Sequence, residues 1–102
     1  MRNEVKFSRK CAKEVGEILG LDWTKMDFEQ FYMGINIELE HGTRWGDKTN
    51  VTNDNPVITG RIALAHLYEI PDYYTRLDEM EKKAEKEMEK HKKKEHKHKK
   101  DK

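Results

Sequence analysis

The sequence predicts an all-α fold, a small bundle of about four helices, and three observations lead there. Apolar residues recur at three- and four-residue spacing in four separate stretches. Helix-capping or helix-breaking residues bound those stretches: Ser8, Asp27, Asn55 and Asp72 on one side, Gly20, Gly42 and Pro71 on the other. No stretch reads as a convincing strand; at most a short extended pairing fits the polar loop between helices 2 and 3.

The first helix runs from about Ser8 to Leu19. Ser8 is its N-cap, Ala12, Val15, Ile18 and Leu19 share a face, and Gly20 supplies the left-handed stop. Leu21 and Trp23 in the short connection return to the core. Asp27-Phe28-Glu29-Gln30 opens the second helix as a capping-box variant, with Met26 and Phe31 placed for a hydrophobic staple. Phe28, Phe31, Tyr32, Ile35 and Leu39 line one face, and His41 lies in the last turn before Gly42. Residues 43–55 form a polar loop, long for so small a domain, and loops of that length are usually functional or mobile.

Asn55 caps the third helix and Pro56 occupies its first position. Val57, Ile62, Ala63, Leu64, Leu67 and Ile70 are its apolar residues. Pro71 stops it, and Asp72 can cap a fourth helix with the stripe Tyr73, Leu77, Met80, Ala84 and Met88. Past Met88 nothing remains to bury. The expected division is a helical domain over residues 1–88 and a Lys/His-rich charged tail over residues 89–102, a frayed helix or disordered.

Composition agrees with that division. Apolar residues make up 34% and charged residues 40%, too polar for one globule of 102 residues. The excess is local. Residues 1–81 hold 10 Lys+Arg and 15 Asp+Glu, a charge of −5; residues 82–102 hold eleven lysines and five acids, +6. An acidic body is thus joined to a basic tail. The lone Cys11 excludes an intramolecular disulfide and, among apolar neighbours, reads as core rather than nucleophile. With no signal-like apolar segment at the N-terminus and no run near the ~20 residues of a membrane span, a cytoplasmic location is expected.

Two motifs carry metal-binding chemistry. Glu38-x-x-His41 ends the second helix and His66-x-x-Glu69 lies late in the third. Residues three apart share a helix face, so antiparallel packing would put His41 level with His66 and Glu38 level with Glu69. Two imidazoles and two carboxylates suit zinc, iron or manganese, and the pattern resembles half of a di-metal carboxylate bundle. Glu38, Glu40 and Glu69 also sit near helix C-termini, where the dipole disfavours negative charge by about 0.3–1 kcal/mol each. A metal, Arg44, Arg61, Arg76 or protonated histidines would compensate. The rival readings are a structural polar network and a general acid–base site. Glu40, Asn50, Asn53, Asp54, Asp72 and Tyr73 are further candidate binding residues. The loop oxygens offer calcium ligands without EF-hand spacing, against ordinary turn chemistry. In the tail, His91, His96 and His98 suggest a metal tract, against a solvated charged segment.

The run Ala12-Lys13-Glu14-Val15-Gly16 to Leu19-Gly20-Leu21-Asp22-Trp23 opens a wider resemblance. Phe31-Tyr32-Met33-Gly34, Glu38-Leu39-Glu40-His41-Gly42, Thr49-Asn50-Val51-Thr52-Asn53-Asp54, Ile62-Ala63-Leu64-Ala65-His66-Leu67 and Pro71-Asp72-Tyr73-Tyr74-Thr75-Arg76-Leu77 continue it. Over about residues 12–81 these resemble a family of small bacterial and phage proteins of unknown function. The resemblance implies a shared fold and a bacterial or phage origin, with no established activity.

No Gly-rich phosphate loop and no Ser/His/Asp motif is present. The first expectation is therefore a non-enzymatic helical binding or interaction module, with a protein partner or homo-oligomer, and a virion or host-interaction role if phage-borne. The second is a metal-binding protein using Glu38, His41, His66 and Glu69. The third is electrostatic nucleic-acid binding through the basic tail.

Overall fold

The computed structural model describes the backbone of residues 5–100 and the side chains of residues 5–89. Within them lie four α-helices and no strand: α1 (Arg9–Ile18), α2 (Phe28–Ile37), α3 (Pro56–Glu69) and α4 (Tyr73–Lys100).

Local signals set the helix starts. Ser8 stays extended and accepts from the Cys11 amide at 3.0 Å. The end of α1 is a Schellman turn. Gly20 sits at φ +73°, the Leu21 amide donates to the Gly16 carbonyl at 2.9 Å, and the Gly20 amide donates to Glu17 at 3.1 Å. Ile18, expected on the buried face, is 68% exposed. It lies about 60° round the helix from Val15, on the side away from Ala12, and so falls outside the packed arc.

Asp27 caps α2 by accepting from the Glu29 amide at 2.9 Å. The expected capping box does not form, because Gln30 is drawn inward. Its Nε2 donates to Thr75 Oγ1 at 2.5 Å and its Oε1 accepts from the Tyr74 amide at 3.2 Å. Buried polar groups need partners, and Gln30 gives and receives one across the α2–α4 contact. The α-helix stops at Ile37, and the chain tightens into a 3-10 turn over Glu38–His41. Asn55 caps α3 by accepting from the Ile58 amide at 2.9 Å, with Pro56 first in the helix.

Small residues on α3 bring the first three helices together. Thr59, Gly60, Ala63 and Leu67 are its buried face, whereas Ile62 and Leu64 are half-buried and Ile70 is exposed. A side chain at Gly60 would meet Val15 Cγ1 at 2.6 Å and the Phe31 ring at 3.3 Å. Phe31, Ile35, Leu39, Ala63 and Tyr74 form the solvent-free centre. Leu21 and Trp23 return to it as expected, Trp23 edge-on against Phe28 at 5.1 Å, and Met26 packs partly against it too. Asn36 secures the N-terminal segment by accepting from the Phe7 amide at 2.7 Å and donating to its carbonyl at 3.1 Å.

Helix α4 behaves differently from its predicted stripe. Asp72 does not cap it through a neighbouring amide; its carboxylate accepts from Arg76 Nε at 2.7 Å. Tyr74 is fully buried, and Tyr73 and Leu77 pack partly against the core. Met80 and Met88 are 56% and 62% exposed, because α4 leaves the body after Leu77. The predicted tail border falls inside this continuous helix; His91, His96 and His98 lie outside the described side chains.

Tyr74 reaches the centre because Gly34 leaves room. A Cβ on residue 34 would run into the Tyr74 ring at Cε2 and Cδ2. That ring has no free space to move into, so Gly34→Ala is expected to destabilise the domain by about 1–3 kcal/mol. The gain of about 1 kcal/mol in helix propensity is already outweighed in that range. A fall in the urea midpoint at unchanged slope is the readout.

Exposed charges add little. Arg9 donates to Glu29 and lies over the Tyr32 ring at 4.8 Å. Hydrogen bonds from Arg9, Thr24 and Arg76 hold Glu29, Asp22 and Asp72 respectively below the ordinary carboxylate range. Their contribution is present above that range and is lost as pH falls through the depressed values.

Candidate functional site

The 3-10 turn Glu38–His41 is the centre of the site. Three residues make one 3-10 turn, so side chains three apart eclipse, and Glu38 and His41 are brought to one side. His41 Nε2 lies 3.5 Å from Glu38 Oε1 and 3.4 Å from Glu40 Oε1. Glu38 is buried; His41 and Glu40 are exposed.

The long loop clamps this turn. The amides of Val51 and Thr52 both donate to the His41 carbonyl, at 2.6 and 3.1 Å. Asp54 accepts from the Thr43 amide at 2.8 Å and from its hydroxyl at 2.6 Å. Asn53 and Asp54 take positive φ values of 52° and 62°, a conformation that Asn and Asp tolerate best after glycine. Asn50 accepts from the Asn53 amide at 2.7 Å and donates to the Asn53 side chain at 3.2 Å. The loop residues picked out as binding candidates thus spend these oxygens on the loop's own shape. Asp54→Ala should cost about 1–3 kcal/mol by removing the acceptor of both Thr43 bonds. It should also speed hydrogen exchange at the Thr43 amide; unchanged exchange there would contradict the clamp.

The two predicted motifs meet only in part. His66 Nε2 lies 3.5 Å from Glu38 Oε2, so α3 does bring His66 to the turn. Glu69, expected level with Glu38, is exposed and forms no ion pair with the cluster. The Tyr74 hydroxyl takes its place, donating to Glu38 Oε2 at 2.7 Å. Glu69 is the last residue of α3, one turn beyond His66, and the chain turns away there. His66 instead stacks on Tyr73, ring centroids 4.3 Å apart and 6° from parallel. Tyr73 therefore joins the site through His66, and Asp72 belongs to its pair with Arg76.

Tyr74 is the residue of the site that no pattern in the sequence singles out. Burial, and then the hydrogen bond to Glu38, push its phenol far above the ordinary tyrosine value. It is a permanent proton donor to the carboxylate. The usable signal was Gly34: a glycine inside an apolar helix face marks the close approach of another group.

Among the described residues, the set able to hold one ion is Glu38, Glu40 and His41, with one ligand atom from each within 4.8 Å of the others. His66 faces the other Glu38 oxygen and stands outside that set. None of the arginines proposed to offset the helix-end glutamates pairs with Glu38 or Glu40 among the described residues; Arg76 is engaged by Asp72.

The family model described as "Protein of unknown function (DUF5661)" matches residues 12–83. The chain belongs to the DUF5661 family. That span runs from within α1 through α2, the clamped loop and α3 to the part of α4 that packs on the body, so every candidate site residue of this DUF5661 domain falls within it. No curated protein and no solved structure matches the chain. Among the described residues, no helix is long and apolar enough to cross a membrane.

Proposed function

We propose that this DUF5661 domain is a small non-enzymatic binding module whose ligand is a divalent metal ion held by Glu38, Glu40 and His41. The distances within the turn carry the reading. N–H···O hydrogen bonds favour about 2.7–3.2 Å, and the His41–carboxylate separations of 3.4 and 3.5 Å exceed that. Two ligands on one tetrahedral ion with bonds of about 2.0–2.1 Å lie about 3.3–3.4 Å apart. The separations fit ligand neighbours better than hydrogen-bond partners.

The bonding of Glu38 is compatible with the same reading. Tyr74 donates to Oε2 at 2.7 Å, and Oε1 is the oxygen that faces His41. Tyr74 and His66 would then orient the ligating carboxylate from behind, as outer partners of metal ligands do. One imidazole and two carboxylates suit zinc, iron or manganese. In this reading the domain works in the cytoplasm of a bacterial or phage-infected cell, or in a virion.

Elemental analysis of the tag-free full chain tests it. About one equivalent of metal is expected in the parent and in a His91→Ala/His96→Ala/His98→Ala variant, and none in His41→Ala. Metal that follows the tail histidines instead of His41, or no metal after growth in replete medium, rejects the assignment.

A protein-interaction reading stands second, on one cavity. A cleft of about 590 Å³ opens beside the α3–α4 junction, its lining including Leu21, Met26 and Leu67 together with Asp22, Lys25, Asp27 and Asp72. An apolar lining with three carboxylates to one lysine suits a lysine-bearing partner.

A further inference from the structure

We propose that α4 pairs antiparallel with α4 of a second copy, forming a closed homodimer. Beyond the body, Met80 and Met88 are exposed and Ala84 is half-buried, spaced three and four residues on from Leu77. They continue the core-facing stripe into solvent. A stripe at this spacing on a projecting helix is the seam of a two-helix contact.

Charge chooses the partner and the direction. Residues 1–89 hold 13 Lys+Arg and 18 Asp+Glu, a charge of −5; residues 90–102 hold 8 lysines and 2 acids, +6. The helix carries its own basic end away from its own body: residue 90 is 17 positions past Tyr73, about 25 Å along the axis. Only another copy can bring the two together. A parallel pair would set +6 beside +6. An antiparallel pair with Leu77 opposite Met88 carries the basic segment of each chain back past the first turn of the other's α4, to its acidic body. The same patch serves both chains, so the interface closes as a dimer. Its apolar seam is short, and charge supplies the rest, so salt weakens it.

Light scattering on the full chain is the test. At about 50 mM salt, where screening is weak, the mass should be twice the 12.2 kDa of one chain. It should fall towards 12.2 kDa at about 500 mM, where the Debye length is near 4 Å. Met80→Glu/Met88→Glu should be monomeric at both, with circular dichroism and melting temperature matching the parent at high salt. Direction is read from spin labels in a Cys11→Ser background. Labels at Lys83→Cys should lie close together, and labels at Lys97→Cys about 40 Å apart or more, because in this register residue 97 of each copy lies about 14 helical positions beyond the centre of the seam, in opposite directions. A monomer at low salt, a dimer indifferent to the methionine changes, a short distance at residue 97, or a mass that climbs past the dimer overturns the proposal.

Discussion

Tyr74→Ala is expected to strip the domain of a large part of its stability. Removing a fully buried aromatic ring costs about 3–5 kcal/mol. A body of this size has roughly 4–12 kcal/mol in all at 0.05–0.15 kcal/mol per residue. The ring fills the slot above Gly34 and its hydroxyl compensates buried Glu38, so truncation opens a cavity and strips a carboxylate of its donor. Tyr74→Phe separates the two effects. It keeps the ring and loses only the donor, and should cost about 1–3 kcal/mol. Urea unfolding of both variants decides it. A midpoint for Tyr74→Ala within error of the parent would remove Tyr74 from the centre of the fold.

The second large effect is that of chelation. A ligand at 100 times its Kd adds about 2.7 kcal/mol to the folded state. For a domain of this size each kcal/mol moves the melting temperature by about 4–8 °C, so EDTA should lower it on the order of 10–20 °C. Glu38→Gln keeps an acceptor for Tyr74 but surrenders the charge, so its melting temperature should ignore EDTA. His66→Ala should still respond, with affinity about 10–100-fold weaker, since His66 acts from behind the ligand. If His66→Ala abolishes the response while His41→Ala spares it, the ligands have been assigned to the wrong histidine.

What could be read from sequence was local, and what could not was mutual. Ser8, Asp27 and Asn55 announce helix starts because each bonds an amide two or three residues on. Glu38 and His41 share a side for the same reason, since one turn relates them. The partner of Glu38 is a different matter. Whether Glu69 or Tyr74 meets it depends on how α3 and α4 sit against α2, and no spacing within one helix encodes that. Gln30 shows the same limit. Its place three residues after Asp27 suited a capping box, but tertiary burial offered it better partners on α4. Met80 and Met88 have the right period for a core stripe and no core opposite them; periodicity gives a direction around the helix and not the extent of what lies beside it.

The bond from the Tyr74 amide to Gln30 has a consequence for how motion is distributed along the molecule. The first turn of α4 takes its cap from another helix, so that turn opens only when α2 does. Residues beyond Leu77 have no such tie within one copy. In the monomer at high salt, amide exchange along α4 should therefore be graded, slowest near Tyr74 and reporting on global opening, then faster with each turn outward. There the helix is geometrically continuous and thermodynamically divided, its inner end belonging to the body and its outer end free to unwind and re-form until a second copy covers it.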